Sequence, residues 1–508
     1  MFSAAMNTYK TTWNNALSYS TPDLSKEKEG RISLLFKAIR GCSEELLNKY
    51  LEKSSEEDII DTIILCFNIR DCRGGKGERE IGKKVFMWLF FNQTSLFSKI
   101  FHLIPEYGRW DDLLCILSQN LTDKYQKQIQ KEIFYLYIKQ LKEDKSGMLE
   151  GKPVSLCAKW CPSENDSDDR KYKLVDKICK EMKISKRDYR REYLTPLRSY
   201  LNIVEKFMCQ NKWDEIDYSK VPSCAIKKLK KAFEKHSPVM FAEWKEKLNR
   251  GEVKVNSNQL YPHELIREVR IKGECDDVCK AQWEKLEKNA KELGVLEKCL
   301  TVVDTSGSME CNDYLPLDVA CGLGLLISSV CKGEFHNKII TFSDDPQFFD
   351  INEGDILQRY RQLKTANWSM STNIQKVFEI ILTRCERANV PPESMPEKII
   401  IISDMQFNQC GGTNSSTNFE EIEAKYAASK YKRPNIVFWN VNGSSTDFPV
   451  TVDDNGTCLI SGFSPSIMKS VLETKEFSSY EILRTAIDSE RYKKIKDLLL
   501  EEKINCIV

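Results

Sequence analysis

The hydrophobic pattern of the chain changes character near residue 299. Between about residues 26 and 298, apolar side chains recur at spacings of three and four, which is typical of amphipathic helices. After residue 299, short runs rich in valine and isoleucine alternate with helical segments. This alternation predicts a doubly wound α/β domain with a mostly parallel sheet. We therefore predict a multidomain chain with an all-α domain at 1–298, an α/β domain at 299–475 and a charged C-terminal helical segment at 476–508.

The first part of the chain contains a series of amphipathic helices of about ten to twenty residues. The helical pattern is clearest at 31–40, 43–53, 56–68, 76–91, 96–104, 110–117 and 123–144. Ser43 and Ser55 stand where N-caps are expected, each just before acidic residues of a first turn. Helices joined by short turns favour a stacked α-α solenoid, arranged as a ring or an arc, although no exact period repeats.

The second part contains five short apolar runs that predict buried strands. These runs lie at 299–304, 338–342, 398–404, 435–441 and 458–461. Helices are predicted between and after them at 315–331, 373–387, 419–431 and 465–472, and one more at 479–500. Ligands of such sheets bind outside the carboxyl ends of the strands, so these ends are where functional residues are expected.

Oxygen-bearing side chains follow the first of these strands directly. The motif DTSGS places Asp304, Ser306 and Ser308 on a tight turn, and Asp404 ends a second buried strand. Thr372, just before a predicted helix, offers a further hydroxyl. Hydroxyl and carboxylate oxygens are the hard ligands that Mg²⁺ prefers. The sequence therefore predicts a site for Mg²⁺ or another divalent cation, although DTSGS alone could also be a simple helix N-cap turn.

These five residues resemble the metal-ion-dependent adhesion site of von Willebrand factor A domains. That site has an Asp-x-Ser-x-Ser first loop, a threonine in a second loop and an aspartate in a third, and all five positions are filled here. The resemblance implies that the three hydroxyls bind the metal directly and that the carboxylates act largely through water. It also implies an open coordination position for an acidic group of a partner.

The charge distribution differs between the two parts of the chain. Residues 1–300 hold 55 Lys and Arg against 46 Asp and Glu, whereas residues 301–508 hold 21 against 29. The surplus is strongest at 170–231, with 18 basic and 8 acidic residues interleaved with tyrosine and tryptophan. Such a mixture suits phosphate attraction and base stacking and indicates a polyanionic partner, which the resemblance given below implies to be RNA. The candidate RNA-binding residues are Lys186, Arg187, Arg190, Arg191, Arg198, Lys227, Lys228, Lys230 and Lys231.

Further motifs in the helical part combine charged, aromatic and glycine residues. They read RDCRGGKGERE from residue 70, PEYGRWDDLL from 105, KWCPSEN from 159, YRREYLTPLR from 189, WDEIDYSKV from 213 and LYPHEL from 260. Together they resemble a family of plants, protists and large DNA viruses that joins a helical domain to a C-terminal von Willebrand A domain. That family is more distantly similar to the TROVE proteins, which include the Ro autoantigen. The distant similarity implies a ring of HEAT-like repeats that binds RNA.

Several of these residues also have a plain structural interpretation. Arg70, Asp71, Arg73, Arg109 and Asp111 could form ion pairs between helices. Trp110, Trp160 and Trp213 could belong to the core, the lysines at 227–231 could be a solvated helix face, and His263 could be a packing residue. GGKGERE is not a phosphate-binding P-loop, because G-x4-G-K-[S/T] is not matched and no buried strand precedes it.

The cysteines and apolar runs predict an intracellular protein. The 19 cysteines are odd in number and scattered, and Met1 is followed by a polar stretch rather than a signal core, so the thiols are expected to be reduced and the protein cytoplasmic. Cys157 with Cys161, and Cys275 with Cys279, are four residues apart, but no histidine stands beside them and zinc is disfavoured. The longest apolar runs are shorter than the roughly 20 residues of a membrane span, so no membrane partner is predicted.

These observations predict a non-enzymatic, RNA-binding ribonucleoprotein component with a Mg²⁺-dependent adhesion site. The alternative is a metal-dependent scaffold for protein partners that does not bind RNA. An enzyme is disfavoured, because the sequence offers no evident nucleophile with its base, no zinc signature and no nucleotide-binding loop.

Overall fold

The structure is a computed structural model of the 508-residue chain. The described residues are 9–11, 17–19, 29–255, 260–294, 296–342, 346–365, 373–407, 418–444, 448–450, 454–465, 467–468, 471 and 477–505. They confirm a helical N-terminal region followed by a mixed α/β sheet domain. The chain folds into two compact units. Unit 1 comprises Met1–Ile69, Arg73–Ile81 and Val255–Arg491, and unit 2 comprises Arg70–Cys72, Gly82–Lys254 and Tyr492–Val508.

Both units are assembled from separate stretches of the chain. Unit 1 joins residues of the N-terminal region to the whole sheet, and unit 2 takes in both the middle of the helical region and the last residues. The boundaries at residues 298 and 475 therefore remain predictions from the hydrophobic pattern of the sequence.

The six-stranded sheet of unit 1 contains all five predicted strands. A short antiparallel pair, β1 (Tyr9–Thr11) and β2 (Leu17–Tyr19), precedes it in the chain. The sheet itself consists of β3 (Cys299–Val303), β4 (Lys338–Thr341), β5 (Phe348–Asp350), β6 (Lys398–Ser403), β7 (Asn435–Asn440) and β8 (Thr457–Ser461). Its order is β5-β4-β3-β6-β7-β8, with every neighbouring pair parallel except β4 and β5.

The strands form because their β-branched residues are buried on both faces, as is usual where helices cover a parallel sheet. Every residue of β3 is buried, and in β6 only Lys398 is partly exposed. The helices of unit 1 are α1 (Glu29–Lys37), α2 (Glu44–Glu57), α3 (Ile59–Arg70, whose last residue belongs to unit 2), α17 (Pro262–Lys272), α18 (Asp277–Leu293), α19 (Cys311–Val330), α20 (Ile356–Thr365), α21 (Ile374–Arg387), α22 (Asn418–Ala427) and α23 (Ser479–Ile487).

One helical stretch of the described residues, Gly307–Val330, is long and apolar enough to cross a bilayer, but 83% of its apolar 18-residue window is buried inside the protein. It consists of a 3-10 turn followed by α19, which packs on β3 and on α17. Asn312, Asp313 and Tyr314 have positive φ angles, so the regular part of α19 begins after them. The apolar composition of this stretch is thus that of a core helix.

Unit 2 is built from helices of very different lengths. They are α4 (Arg79–Asn92, which enters unit 2 at Gly82), α5 (Thr94–Ile100), α6 (Ile104–Tyr107), α7 (Leu114–Leu117), α8 (Lys124–Leu149), α9 (Cys157–Trp160), α10 (Ser167–Tyr172), α11 (Leu174–Met182), α12 (Lys186–Tyr189), α13 (Thr195–Tyr200), α14 (Val204–Cys209), α15 (Ser223–His236), α16 (Pro238–Asn249) and α24 (Lys493–Asn505). The longest, α8, buries Ile133, Tyr137 and Leu141 against shorter helices, including α9, α11 and α13. HEAT-like repeats and a ring remain predictions.

Two motifs of the sequence meet in unit 2 around a buried ion pair. The Arg70 guanidinium donates to the Asp112 carboxylate at 2.7 Å, and both side chains are almost fully buried. A Cβ atom on Gly82 or Gly108 would lie 2.4 Å from Arg70 or from Asp112, respectively, so glycine is needed at both positions for this close approach. The interpretation of Arg70 as an ion-pairing residue between helices is confirmed.

In unit 1, the C-terminal end of α1 lies against the carboxyl edge of the sheet. The carbonyl groups at a helix C-terminus lack intrahelical partners and must find donors elsewhere. The buried Lys76 ammonium donates to the Leu35 carbonyl, and also to the Ser461 hydroxyl at 2.9 Å. The Asn440 side chain at the end of β7 donates to the Phe36 carbonyl at 3.4 Å. Lys76, the lysine of GGKG, is therefore a helix-capping hydrogen-bond donor inside unit 1.

Two local predictions are corrected by the structure. Ser43 caps α2 by accepting the Leu46 amide, as expected, but Ser55 lies inside the same helix and bonds the Glu52 carbonyl. The predicted single helix at 479–500 is divided into α23 and α24 by the 3-10 turn Glu490–Tyr492.

We predict that Asp112→Asn destabilises the protein. The variant leaves the buried Arg70 guanidinium without its counter-charge, and breaking one side of a buried pair costs about 3 to 5 kcal/mol. Urea unfolding should show a lower midpoint. Glu143→Gln, which removes the acid of an exposed pair with Lys139, is the control and should change the midpoint little. An equal decrease of the urea midpoint in both variants would contradict the structural role of the buried pair.

We also predict a pH-dependent contribution of Lys76 to stability. Burial lowers the pKa of this lysine to about 7, below its unfolded value. Above pH 7 the unfolded state therefore binds a proton that the folded state lacks, so folding becomes more favourable as the pH rises, by up to about 1.4 kcal/mol per pH unit. Urea unfolding at pH 7 and 9 should show this rise in the native chain and lose it in Lys76→Met. The exposed control Lys280→Met should keep it, whereas parallel pH profiles for all three proteins would refute the prediction.

Candidate metal centre and basic surfaces

The two aspartates of the predicted site lie side by side at the carboxyl edge of the sheet. β3 and β6 are adjacent and parallel, with Val303 opposite Ile402. Asp304 follows β3 directly, and Asp404 follows the last residue of β6. The Asp304 amide donates to the Ile402 carbonyl at 3.0 Å, which continues the ladder up to the site. Parallel pairing of two strands thus brings together carboxylates that are 100 positions apart.

Both oxygens of the Asp304 carboxylate accept hydrogen bonds. The Ser306 amide donates to Oδ1 at 2.9 Å and the Ser403 hydroxyl donates to Oδ2 at 2.5 Å. The hydroxyl oxygens of Ser306 and Ser308 are 3.1 Å apart. Asp304 and Ser306 are buried, whereas Ser308 is half-buried at the rim. The DTSGS turn therefore presents two hydroxyls beside a carboxylate whose orientation is fixed.

Asp404 is held by the turn that follows β6. The Gln406 amide donates to Oδ1 at 3.2 Å, and Met405 between them has φ +68°, a left-handed conformation that closes this turn. The Ser308 hydroxyl on the loop after β3 also lowers the pKa of the Asp404 carboxylate on the loop after β6.

The electrostatics of this pair favour a cation. Burial raises the pKa of Asp304. Burial, and then the negative charge of Asp304, raise the pKa of Asp404 to about 7, against the opposing effects of the Ser308 hydroxyl, the Gln406 amide and the Lys37 charge. Two buried carboxylates this close repel one another, and a divalent cation between them would remove that repulsion. The hard oxygen donors fit Mg²⁺.

Not all of the predicted ligands can be placed. Thr372 lies outside the described residues. Asn373 next to it caps α21 by accepting the Lys376 amide at 3.0 Å, so a helix begins where the sequence predicted one. Within the described part of the chain, no group of three or more His, Cys, Asp or Glu side chains could hold a metal. The cluster described above differs in kind, because it combines two carboxylates with serine hydroxyls.

Lys37 is a residue of this site that the sequence pattern did not reveal. Its side chain is fully buried at the end of α1, and its ammonium lies 4.8 Å from the Phe36 ring centroid and 4.7 Å from that of Phe448. Its charge lowers the pKa of Asp404. Lysine in a helical pattern is normally a surface residue, so only the packing of α1 on the sheet edge identifies Lys37 as a counter-charge.

The structure divides the predicted RNA-binding residues into three groups. Arg187, Arg190, Lys228 and Lys231 are exposed. Lys227 and Lys230 are half-buried, Lys186 pairs with Asp176, and Arg191 with Asp188 and Glu192. Arg198 donates to the Ala158 and Cys161 carbonyls and to the Ser163 hydroxyl, which makes it a structural residue of unit 2.

A second basic surface lies on α8, outside the predicted stretch. Lys127, Lys131, Tyr135 and Lys139 recur every four residues, and all are exposed, as is Lys142. Beside them a groove of about 460 Å³ is lined by Phe101, His102, Glu132, Tyr135, Leu136, Ile138, Lys139 and Lys142. The spacing of these residues is visible in the sequence, but the helix was predicted from its apolar residues alone. We name this surface the α8 stripe.

The predicted aromatic and histidine residues take different positions. Trp110 is buried against Tyr137, with ring centroids 5.2 Å apart. Trp160 is half-buried under the Arg109 guanidinium at 4.2 Å, and Trp213 is half-buried and stacks on His236. The packing interpretation of His263 is confirmed, because this ring is buried and stacks on that of Tyr261.

Comparison with known proteins finds two matching domains and a viral relative. A domain of unknown function (DUF2828) matches residues 116–296, and a second one (DUF7788) matches residues 298–504. The "Uncharacterized protein L728" of Acanthamoeba polyphaga mimivirus is 30% identical over 459 residues, which cover 85% of this chain and 80% of the viral protein. The chain belongs to the family that includes this viral protein.

A solved structure with a lower degree of similarity is the RO (RSR) protein of Deinococcus radiodurans. The match covers 90% of this chain and 99% of the bacterial one, at 11% sequence identity and a TM-score of 0.34. A likeness of this size does not define the ligand or the activity of the family members, which have to be inferred from their own residues.

Proposed function

We propose that this chain is a non-enzymatic adhesion protein that captures an acidic group through a divalent cation. The observation that carries the proposal is the juxtaposition of Asp304 and Asp404 at the ends of adjacent parallel strands, beside the hydroxyls of Ser306 and Ser308, which lie 3.1 Å apart on the loop after β3. Thr372 is the proposed fifth ligand, by resemblance to von Willebrand A domains. Mg²⁺ bound mainly by neutral hydroxyls stays electrophilic and accepts a carboxylate or phosphate from a partner.

The composition of the site favours binding over catalysis. Within the described residues, the groups that hydrogen-bond to the two carboxylates are hydroxyls and backbone amides. These groups orient ligands but are poor proton acceptors at neutral pH, and the carboxylates themselves are engaged by these bonds. With a cation bound at the site, the two carboxylates would be engaged by the metal rather than free to accept a proton from water, which favours binding over catalysis.

We expect Asp304→Ala to weaken Mg²⁺ or Mn²⁺ binding by at least roughly tenfold, because it removes a carboxylate at the centre of the site. Isothermal titration of the full chain with each metal measures the change. Glu310→Gln is the matched control, since it removes one negative charge from the exposed turn after DTSGS without touching the cluster. Equal metal affinity in Asp304→Ala and the native chain would overturn the proposed centre.

RNA is the second proposed ligand, and the charge of unit 2 supports it. Its residues hold 40 Lys and Arg against 28 Asp and Glu, a balance of +12, so unit 1 carries −11 of the total of +1. The α8 stripe adds an exposed tyrosine between lysines, which suits base stacking next to phosphate attraction. Arg187, Arg190, Lys228 and Lys231 are the exposed members of the set predicted from the sequence.

We predict that affinity for a single-stranded RNA oligonucleotide falls linearly with salt on logarithmic axes, with a slope of about −0.7 per phosphate contact. Lys131→Glu combined with Lys139→Glu should weaken binding by about tenfold or more and flatten the slope. Lys280→Glu combined with Lys288→Glu, on α18 of unit 1, is the charge-matched control. Fluorescence anisotropy at 50 to 300 mM KCl measures both effects.

A protein scaffold that does not bind RNA is the alternative function. RNA binding that is absent, or independent of salt, together with Mg²⁺-dependent capture of an acidic peptide would favour the scaffold. RNA binding that survives in Asp304→Ala would separate the two sites, because the metal centre belongs to unit 1 and the basic surplus to unit 2.

A further inference from the structure

The groove beside α8 combines a concave shape with an apolar lining. Its volume of about 460 Å³ lies within the range of roughly 300 to 1,000 Å³ that is common for ligand pockets. Among the residues that line it, Phe101 and Ile138 are buried and Leu136 is half-buried, whereas the Tyr135 ring is 54% exposed. The groove therefore presents aliphatic and aromatic surface to solvent, and it is large enough to take a planar heterocycle.

The basic row on α8 leads directly to this groove. Lys127, Lys131, Tyr135 and Lys139 are exposed and follow one another every four residues. Such residues are about 6 Å apart along the helix axis, which is comparable with the distance between successive phosphates of an extended nucleic acid strand. Tyr135 stands where the next lysine of the row would be, and it also lines the groove. The row thus places one aromatic ring between groups that attract phosphate.

Two polar side chains of the groove suit the edge of a nucleobase. The Glu132 carboxylate accepts the Gln128 amide at 3.1 Å and, when ionised, can only accept hydrogen bonds. Burial, and then the charge of Lys494, lower the pKa of His102, so this ring is neutral at pH 7 and offers one donor and one acceptor. Adenine carries an exocyclic amine next to ring nitrogens that accept hydrogen bonds, which fits this set. Uracil would face the carboxylate with a carbonyl oxygen.

The lysines at the groove are available to a phosphate. Lys139 and Lys142 both line the groove and are exposed. The Glu143 carboxylate lies 3.8 Å from the Lys139 ammonium, but both side chains are more than half exposed. An exposed pair of this kind contributes little stability, so a phosphate can replace the carboxylate at low cost. Charge complementarity therefore favours a polyanion that carries planar rings over a purely apolar ligand.

We propose that the groove beside α8 receives one unstacked, amino-bearing base of a single-stranded RNA, such as adenine. In this arrangement Tyr135 stacks on the base, Glu132 accepts its exocyclic amine, and the lysines of the α8 stripe hold the neighbouring phosphates. The inference rests on the RNA binding proposed above and adds to it that unit 2 recognises a base as well as a charged strand.

The test compares three labelled oligomers of equal length and charge on the native full chain. They are oligoadenylate, oligouridylate and an abasic ribose-phosphate oligomer, and fluorescence anisotropy measures their affinities. Oligoadenylate should bind about tenfold more tightly than the abasic oligomer, because stacking on an aromatic side chain adds binding energy that phosphates do not supply. Oligouridylate should lie between them. The salt dependence should be the same for all three, since the phosphate contacts are unchanged.

The outcomes separate the base pocket from RNA binding itself. Equal affinities for oligoadenylate and the abasic oligomer would overturn the pocket and leave RNA binding intact. Equal affinities for oligoadenylate and oligouridylate would overturn the choice of an amino-bearing base. If none of the oligomers binds and an acidic peptide that contains phenylalanine does, the groove belongs to a protein partner, and both proposals fail.

A matched pair of tyrosine variants tests the stacking residue. Tyr135→Ala should abolish the preference for oligoadenylate and leave the affinity for the abasic oligomer and the salt dependence unchanged. Tyr125→Ala removes another exposed tyrosine of α8, which is 47% exposed and does not line the groove, and should keep the full preference. The same preference in both variants would contradict stacking on Tyr135.

Ultraviolet crosslinking of oligoadenylate to the native chain locates the base without any variant. Trypsin cleaves after Lys131 and Lys139 and releases the peptide EIFYLYIK, which contains Tyr135 together with the fully buried Tyr137. Mass spectrometry should find the nucleotide adduct on this peptide, at Tyr135. Adducts confined to other peptides would overturn the placement of the base in this groove.

Discussion

The organisation of unit 1 depends on how the last carbonyl groups of α1 are satisfied. These groups lie at the carboxyl edge of the sheet, where water has little access, and unpaired carbonyls there would be costly. Lys76 and Ser461 both donate to the Leu35 carbonyl, and Asn440 donates to that of Phe36. Three distant parts of the chain are joined at this point, and the helix that they hold also carries Lys37.

The same edge explains why the candidate centre tolerates two buried carboxylates. Asp304 is neutralised in part by donors from Ser306 and Ser403, and Asp404 by the nearby charge of Lys37. These contacts orient both carboxylates without an arginine side chain paired to either of them among the described residues. A metal site at this edge needs enough positive charge nearby for the chain to fold with two buried carboxylates. It must also keep enough negative charge to attract the ion.

The sequence predicted the strands of the sheet better than the contacts of the residues that pack around them. Runs such as KIIIIS are too β-branched and too short for a buried helix, so the five strands were recognisable, but β5, with three residues, lacked any pattern. DTSGS was found because its chemistry is local. The buried positions of Lys37 and Lys76 could not be predicted. An amphipathic pattern shows that one face of a helix is buried but not which residues cover it, and buried lysines are rare. For the same reason the sequence could not show that Arg198, a predicted RNA-binding residue, donates to the Ala158 and Cys161 carbonyls.

The hydrogen bond between Lys76 and Ser461 spans 385 positions of the chain, and this separation has a consequence for biosynthesis. At about 5 to 20 residues per second, a ribosome would add Ser461 roughly 20 to 80 s after Lys76. During that interval α1 and its capping lysine have left the exit tunnel without their partners on β8, while the continuous stretch 82–254 of unit 2 is already available to fold. Until the last strand of the sheet has been made, the carbonyl groups at the end of α1 therefore depend on water for part of their hydrogen bonding.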